Sequence, residues 1–72
     1  MSDQGKMEVI ADILELEVEE LNEDMVLEEI ETWDSVAVLS VISVMDENFG
    51  KMPHASEIIK CKTVSDLMAV MQ

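Results

Sequence analysis

Apolar side chains recur at helical intervals near the start of the chain: Met7, Ile10, Ala11 and Leu14 share one face of a helix expected from about Lys6 to Glu17. Glu8, Asp12, Glu15 and Glu19 fall on another side, which makes the helix amphipathic with an acidic outer face. From Val18 to Trp33 the period is lost. Acids occupy nearly every second place there, while Leu21, Met25, Val26, Leu27, Ile30 and Trp33 stay apolar. The pattern fits a long connection held to the core by those side chains, with room for a helical turn.

Residues 35–49 are rich in Val and Ile, which by propensity favour a strand. The spacing favours a helix instead. Projected at about 100° per residue, Val38, Val41, Ile42, Met45 and Phe49 share one face, and Ser40, Ser43 and Glu47 share another with Val36. Asn48 and Gly50 then supply a stop, and Pro53 lies beyond it. Pro53 to Lys62 reads as a short helix or turn giving Ile58 and Ile59 to the core. Thr63-Val64-Ser65-Asp66 fits a capping box, followed by a last amphipathic helix bearing Val64, Leu67, Met68 and Met71. The expected fold is all-α: three main helices, one short helix and a long first loop, in a single small bundle over residues 1–72.

Charge and composition narrow the partners. Seventeen acidic residues against four basic ones give a net charge of −13, which disfavours nucleic acid and anionic membrane and favours basic protein surfaces. The hydrophobic share of 49 % is too high for a disordered acidic tail. A chain of this length buries only about 60 % of its unfolded surface, so the core is thin. No apolar run approaches the roughly 20 residues of a membrane span. Cys61 has no second cysteine to pair with, and no signal peptide opens the sequence, so a reducing cytoplasm is expected; the protein is also expected to be a monomer.

Few side chains offer chemistry. Ser35 stands between Asp34 and Val36 where the second helix begins, and a serine there is ordinarily a cap. Its one histidine, His54, lies beyond the intervening helix, so Ser35 lacks a base that would make it a nucleophilic catalyst; its chemical role is that of an acceptor. A helix start also favours a negatively charged substituent such as a phosphodiester. His54 has no clustered ligands for a metal. Cys61 behaves as a small buried hydrophobe, and Trp33 as a half-buried anchor of the long connection.

Asp34-Ser35-Val36, then Leu39, Ile42 and Met45, then Asp46-Glu47-Asn48-Phe49-Gly50, then Pro53 and Thr63-Val64-Ser65-Asp66-Leu67 follow one another at set distances. In this order the sequence resembles the acyl carrier proteins along essentially its whole length. The resemblance implies a four-helix bundle of acyl-carrier type that performs no reaction. Ser35, flanked by Asp34 and Val36, would carry covalent 4′-phosphopantetheine placed there by a phosphopantetheinyl transferase. The arm's thiol would hold acyl groups as thioesters for acyl synthetases, ketoacyl synthases or acyltransferases with basic docking patches, in fatty-acid, lipid or another acyl metabolism. Enzymes would recognise the exposed side of the second helix, taken as Ala37, Ser40, Val44, Asp46 and Glu47. Carriers of fatty-acid synthesis present more acids on this helix, so the departure points to a dedicated pathway. Peptidyl carriers have glycines where Trp33 and Asp34 stand.

Two other classes are compatible with an acidic helical domain. Windows beginning at Glu20 and Asp46 resemble calcium-binding loops, but their sixth places hold Met25 and Lys51 instead of the glycine such a loop needs. A helical adaptor with Ser35 as a simple cap is the other alternative.

Overall fold

The computed structural model describes residues 2–71 and consists of four α-helices: α1 (Asp3–Ile13), α2 (Ser35–Phe49), α3 (Ala55–Ile59) and α4 (Val64–Val70). α1 begins three residues before the spacing suggests, because the Ser2 hydroxyl accepts from the Gly5 N–H at 3.1 Å and caps it. It also ends early. Glu15 adopts a left-handed φ of 59°, the Leu16 N–H bonds back to the Ala11 carbonyl at 2.9 Å, and the Glu15 N–H bonds to Asp12 at 3.2 Å. This is a Schellman closure with glutamate where glycine is usual.

The connection after α1 is ordered by short 3₁₀ turns at Val18–Glu20 and Leu27–Glu29. Leu21, Leu27 and Ile30 are buried; Met25 and Trp33 are half-buried. Val26, expected inside, is 38 % exposed because its backbone pairs in an antiparallel bridge with Thr63, which turns the side chain outward. Leu27 N–H to Lys62 carbonyl (2.8 Å) and Val64 N–H to Met25 carbonyl (3.0 Å) tie this loop to the start of α4. The Thr32 hydroxyl donates to the Leu14 carbonyl at 2.7 Å, joining the far end of the loop to the end of α1.

α2 is the longest element, 15 residues. Asp34 caps it, and Gly50 closes it with φ 65°. Val38, Val41 and Met45 are buried, with Ile42 and Phe49 packed at the edge of the core. α3 opens where the Glu57 carboxylate accepts from the His54 N–H at 3.0 Å. Only Ile58 of its two isoleucines is inside. Ile59 is 65 % exposed, since a helix of this length turns one of two adjacent residues away from the bundle. α4 carries the expected capping box: Thr63 Oγ1 accepts from Asp66 N–H, and Asp66 Oδ2 accepts from Thr63 and Lys62 N–H, all at 3.1–3.2 Å. Those two backbone donors hold the Asp66 carboxyl below the ordinary carboxylate range.

The core runs from Ile10 and Leu14 through Leu27, Val41 and Met45 to Ile58, Val64, Leu67 and Met71, all nearly inaccessible to solvent. No charged or polar residue is buried among the described residues. The charge therefore lies outside a wholly apolar interior, as the composition requires.

Candidate functional site

Ser35 is the first residue of α2 and is exposed. Its neighbour does the capping: Asp34 Oδ1 accepts from the Ala37 N–H at 3.0 Å. The Ser35 hydroxyl consequently has no hydrogen-bond partner among the described residues. Because the first-turn N–H groups of a helix have no carbonyl one turn back, Ser35 and Val36 present donors and the positive end of the helix dipole beside that hydroxyl. An exposed, unengaged hydroxyl at such an end suits a phosphodiester substituent.

Two concavities meet at this point. On the α3 side, a groove of about 360 Å³ is lined by Trp33, Asp34, Ser35, Val38, Leu39, Ala55 and Ile59, and is mostly apolar. On the α1 side, a larger groove of about 730 Å³ has Ile13, Ala37 and Val44 along its floor and Asp12, Glu15, Glu31, Asp34 and Glu47 around it. Asp34 borders both, so the α2 start is a ridge with an apolar flank and an acidic flank.

The structure corrects part of the expected recognition face. Ala37 is 3 % exposed, because α1 and residues 31–34 pack beside the first turn of α2 and widen its buried stripe. Val44 is half-buried against the core. Ser40 is half-buried and donates to the Val36 carbonyl at 3.0 Å, whereas Asp46 and Glu47 are exposed. Leu39 and Ile59, which the sequence did not single out for this site, are exposed beside Ser35. Leu39 carried a signal, since it projects between Ser35 and Val36 at the edge of the buried stripe of the helix. Ile59 carried none.

The remaining reactive groups lie apart from this site. Cys61 is a buried free thiol that donates weakly to the Glu57 carbonyl at 3.7 Å, and burial, then the Asp66 charge, push its pKa up. Such a thiol is unreactive. Among the described residues, no three His, Cys, Asp or Glu side chains come together to hold a metal ion, and the two calcium-like windows form no cage. No helix among those residues is long and apolar enough to cross a membrane.

A family model described as phosphopantetheine attachment site matches residues 7–71. The chain belongs to this family, that of the acyl carrier proteins. It is therefore a non-catalytic carrier domain that takes a covalent 4′-phosphopantetheine and meets both a phosphopantetheinyl transferase and acyl-handling enzymes. No curated protein and no solved structure matches the chain. The α-helical bundle is the one expected of such a carrier.

Proposed function

We propose that Ser35 is the residue to which the 4′-phosphopantetheine is attached, and that the protein is a cytoplasmic acyl carrier of a dedicated pathway. The observation that carries the assignment is the free Ser35 hydroxyl at the start of α2, released from capping by Asp34, within a chain of the attachment family. When bound, the arm supplies a terminal thiol that holds acyl groups as thioesters. Everything else the chain contributes is placement. Asp34 fixes the first turn, the α2 N–H groups favour the phosphodiester, and the rigid bundle keeps the attachment point on a ridge that an enzyme's entrance can reach. A tether on such a scaffold raises the effective concentration of its cargo at each enzyme that the carrier visits.

The residues of α2 that partners meet are the exposed Val36, Asp46 and Glu47 and the half-buried Ser40, with Ala37 confined to the interior. A dedicated pathway is favoured because residues 35–45 contain no ionisable side chain, so the half of α2 nearest Ser35 offers no acids to a basic patch. Among the described residues, a calcium-binding role has no cluster of three His, Cys, Asp or Glu side chains to support it.

Incubation with coenzyme A, magnesium and a broad-specificity phosphopantetheinyl transferase tests the attachment: intact mass gains one phosphopantetheine in the native chain and none in Ser35→Ala. Competition for a housekeeping ketoacyl synthase tests the pathway. Weaker affinity than that of the housekeeping carrier is expected, and equal affinity would reject a dedicated role.

A further inference from the structure

We infer that Met52 is a reversible oxidation site: peroxides convert its thioether to a sulfoxide ahead of every other methionine among the described residues, and the bundle keeps its fold while the surface at Met52 turns from apolar to polar. The inference does not depend on Ser35 being the attachment residue.

The six described methionines differ in what surrounds their sulfur. Met45, Met68 and Met71 are 2 %, 6 % and 0 % exposed, whereas Met52 is 72 % exposed, more than any other large apolar residue among those described. Met7 and Met25 are half-buried against the core, and the Met25 sulfur already accepts from the Asn22 N–H at 3.3 Å. Met52 lies in the short connection between Gly50, which closes α2, and His54, which opens α3. Both closures are made by neighbours: the Lys51 N–H bonds to the Met45 carbonyl at 3.4 Å and the His54 N–H to the Glu57 carboxylate at 3.0 Å. No hydrogen bond among the described residues involves Met52, so its side chain can change without breaking a cap.

The step is a two-electron oxidation. A lone pair on Met52 Sδ attacks one oxygen of the peroxide, the S–O bond forms as the O–O bond breaks, and the sulfur is oxidised while the peroxide is reduced. With hydrogen peroxide, the departing hydroxide takes the proton left on the transferred oxygen and leaves as water. The step needs open approach to the sulfur and water to solvate the new dipole, and Met52 has both. At Met45, Met68 and Met71 packed side chains block the approach, and a sulfoxide would be stranded in an interior with no buried polar residue among those described. Those three react only from opened forms of the domain, which slows them by the fraction open.

Met52 borders a groove of about 330 Å³ that is also lined by Met45, Lys51, Pro53, Glu57 and Val70. Oxidation makes the Met52 rim polar, and the Lys51 ammonium supplies a donor at the same groove. This groove shares no residue with the two that meet at the start of α2, so the change is separate from the candidate site. Because the sulfoxide is exposed, the thiol-dependent methionine sulfoxide reductases can reach it and return the thioether, one enzyme for each epimer.

The test treats the full folded chain with hydrogen peroxide and follows each methionine by peptide mapping with tandem mass spectrometry. Cleavage after Lys51 and Lys60 isolates Met52 on a peptide of its own. Met52 should react at least about tenfold faster than Met45, Met68 or Met71, and about threefold or more faster than Met7 or Met25. In concentrated guanidinium chloride all six should react within about twofold of one another, since burial is then gone. The chain oxidised at Met52, and Met52→Gln as its polar substitute, should melt within about 2 °C of the native protein, as surface changes do. A pair of reductases covering both epimers, with a dithiol as reductant, should restore the native mass of the Met52 peptide. Another described methionine that oxidises as fast as Met52 in the folded chain would overturn the proposal. So would a ranking that persists in denaturant, a melting loss above about 5 °C, or a sulfoxide that the reductases leave in place.

Discussion

The Asp34 carboxylate accepts from the Ala37 N–H at 3.0 Å, so α2 is capped by the residue before Ser35, and the serine one place later keeps a free hydroxyl. Had the serine occupied the cap position, its oxygen would have been tied to the helix backbone. Asp34→Ala should cost about 1 kcal/mol of stability, the usual loss for a cap. In a domain of this size that lowers Tm by about 4–8 °C. Asp34→Asn, an equivalent cap, should restore the melt, and thermal unfolding followed by circular dichroism distinguishes the two.

Glu15 sits at φ 59° in the closure of α1. An L-residue with a side chain pays about 1–2 kcal/mol for that conformation, part of which glycine returns to the unfolded chain as flexibility. Glu15→Gly should therefore raise stability by about 1 kcal/mol, measured as an increased denaturation midpoint at unchanged slope. A midpoint lower than that of the native chain would mean that the glutamate side chain contributes more than its backbone strain costs.

The depressed pKa of Asp66 fixes the sign of one pH effect. Its folded pKa lies below its unfolded one, owing first to the Lys62 and Thr63 N–H bonds, so the native state binds fewer protons between the two values. The stabilisation is complete above the unfolded value, near 3.8, and is lost as pH falls through the folded value. Asp66→Ala should accordingly melt below the native protein at pH 6–7, a difference that shrinks as the solution is taken to pH 3 and lower. A gap that stays constant over this range would remove the carboxylate from α4 capping.

Two leucines mark the contrast between core and surface. Leu27 is wholly buried and Leu39 is 63 % exposed. Leu27→Ala should cost about 2–5 kcal/mol, a large part of what a small domain possesses, whereas Leu39→Ala should stay within about 0.5 kcal/mol. Urea titrations of both variants give the comparison. Equal losses would contradict the burial assigned to them.

Much of this architecture could be read from spacing. The buried faces of α1, α2 and α4 repeat at helical intervals, and Thr63 with Asp66 announces the last helix as a capping box. What escaped depends on partners distant in sequence. The end of α1 at Ile13 is set by a left-handed glutamate, a residue that gives no stop signal. Ala37 is inside because α1 packs beside it, and Val26 is outside because it pairs with Thr63. Neither partner is visible from the local pattern. Ile58 and Ile59 are interchangeable in sequence, and only the docking of α3 decides that one fills the core and the other borders Ser35. The motif Asp34-Ser35-Val36 located the candidate site. The division of its surroundings into an apolar and an acidic flank required the fold.

Fragmentation of the protein after reaction with coenzyme A and a competent transferase addresses the attachment residue most directly. The account expects a single added phosphopantetheine, with fragment ions bracketing it to Ser35 and leaving Ser40 and Ser43 unmodified. A correctly folded chain that stays unmodified, or one that carries the group on another side chain, would contradict it.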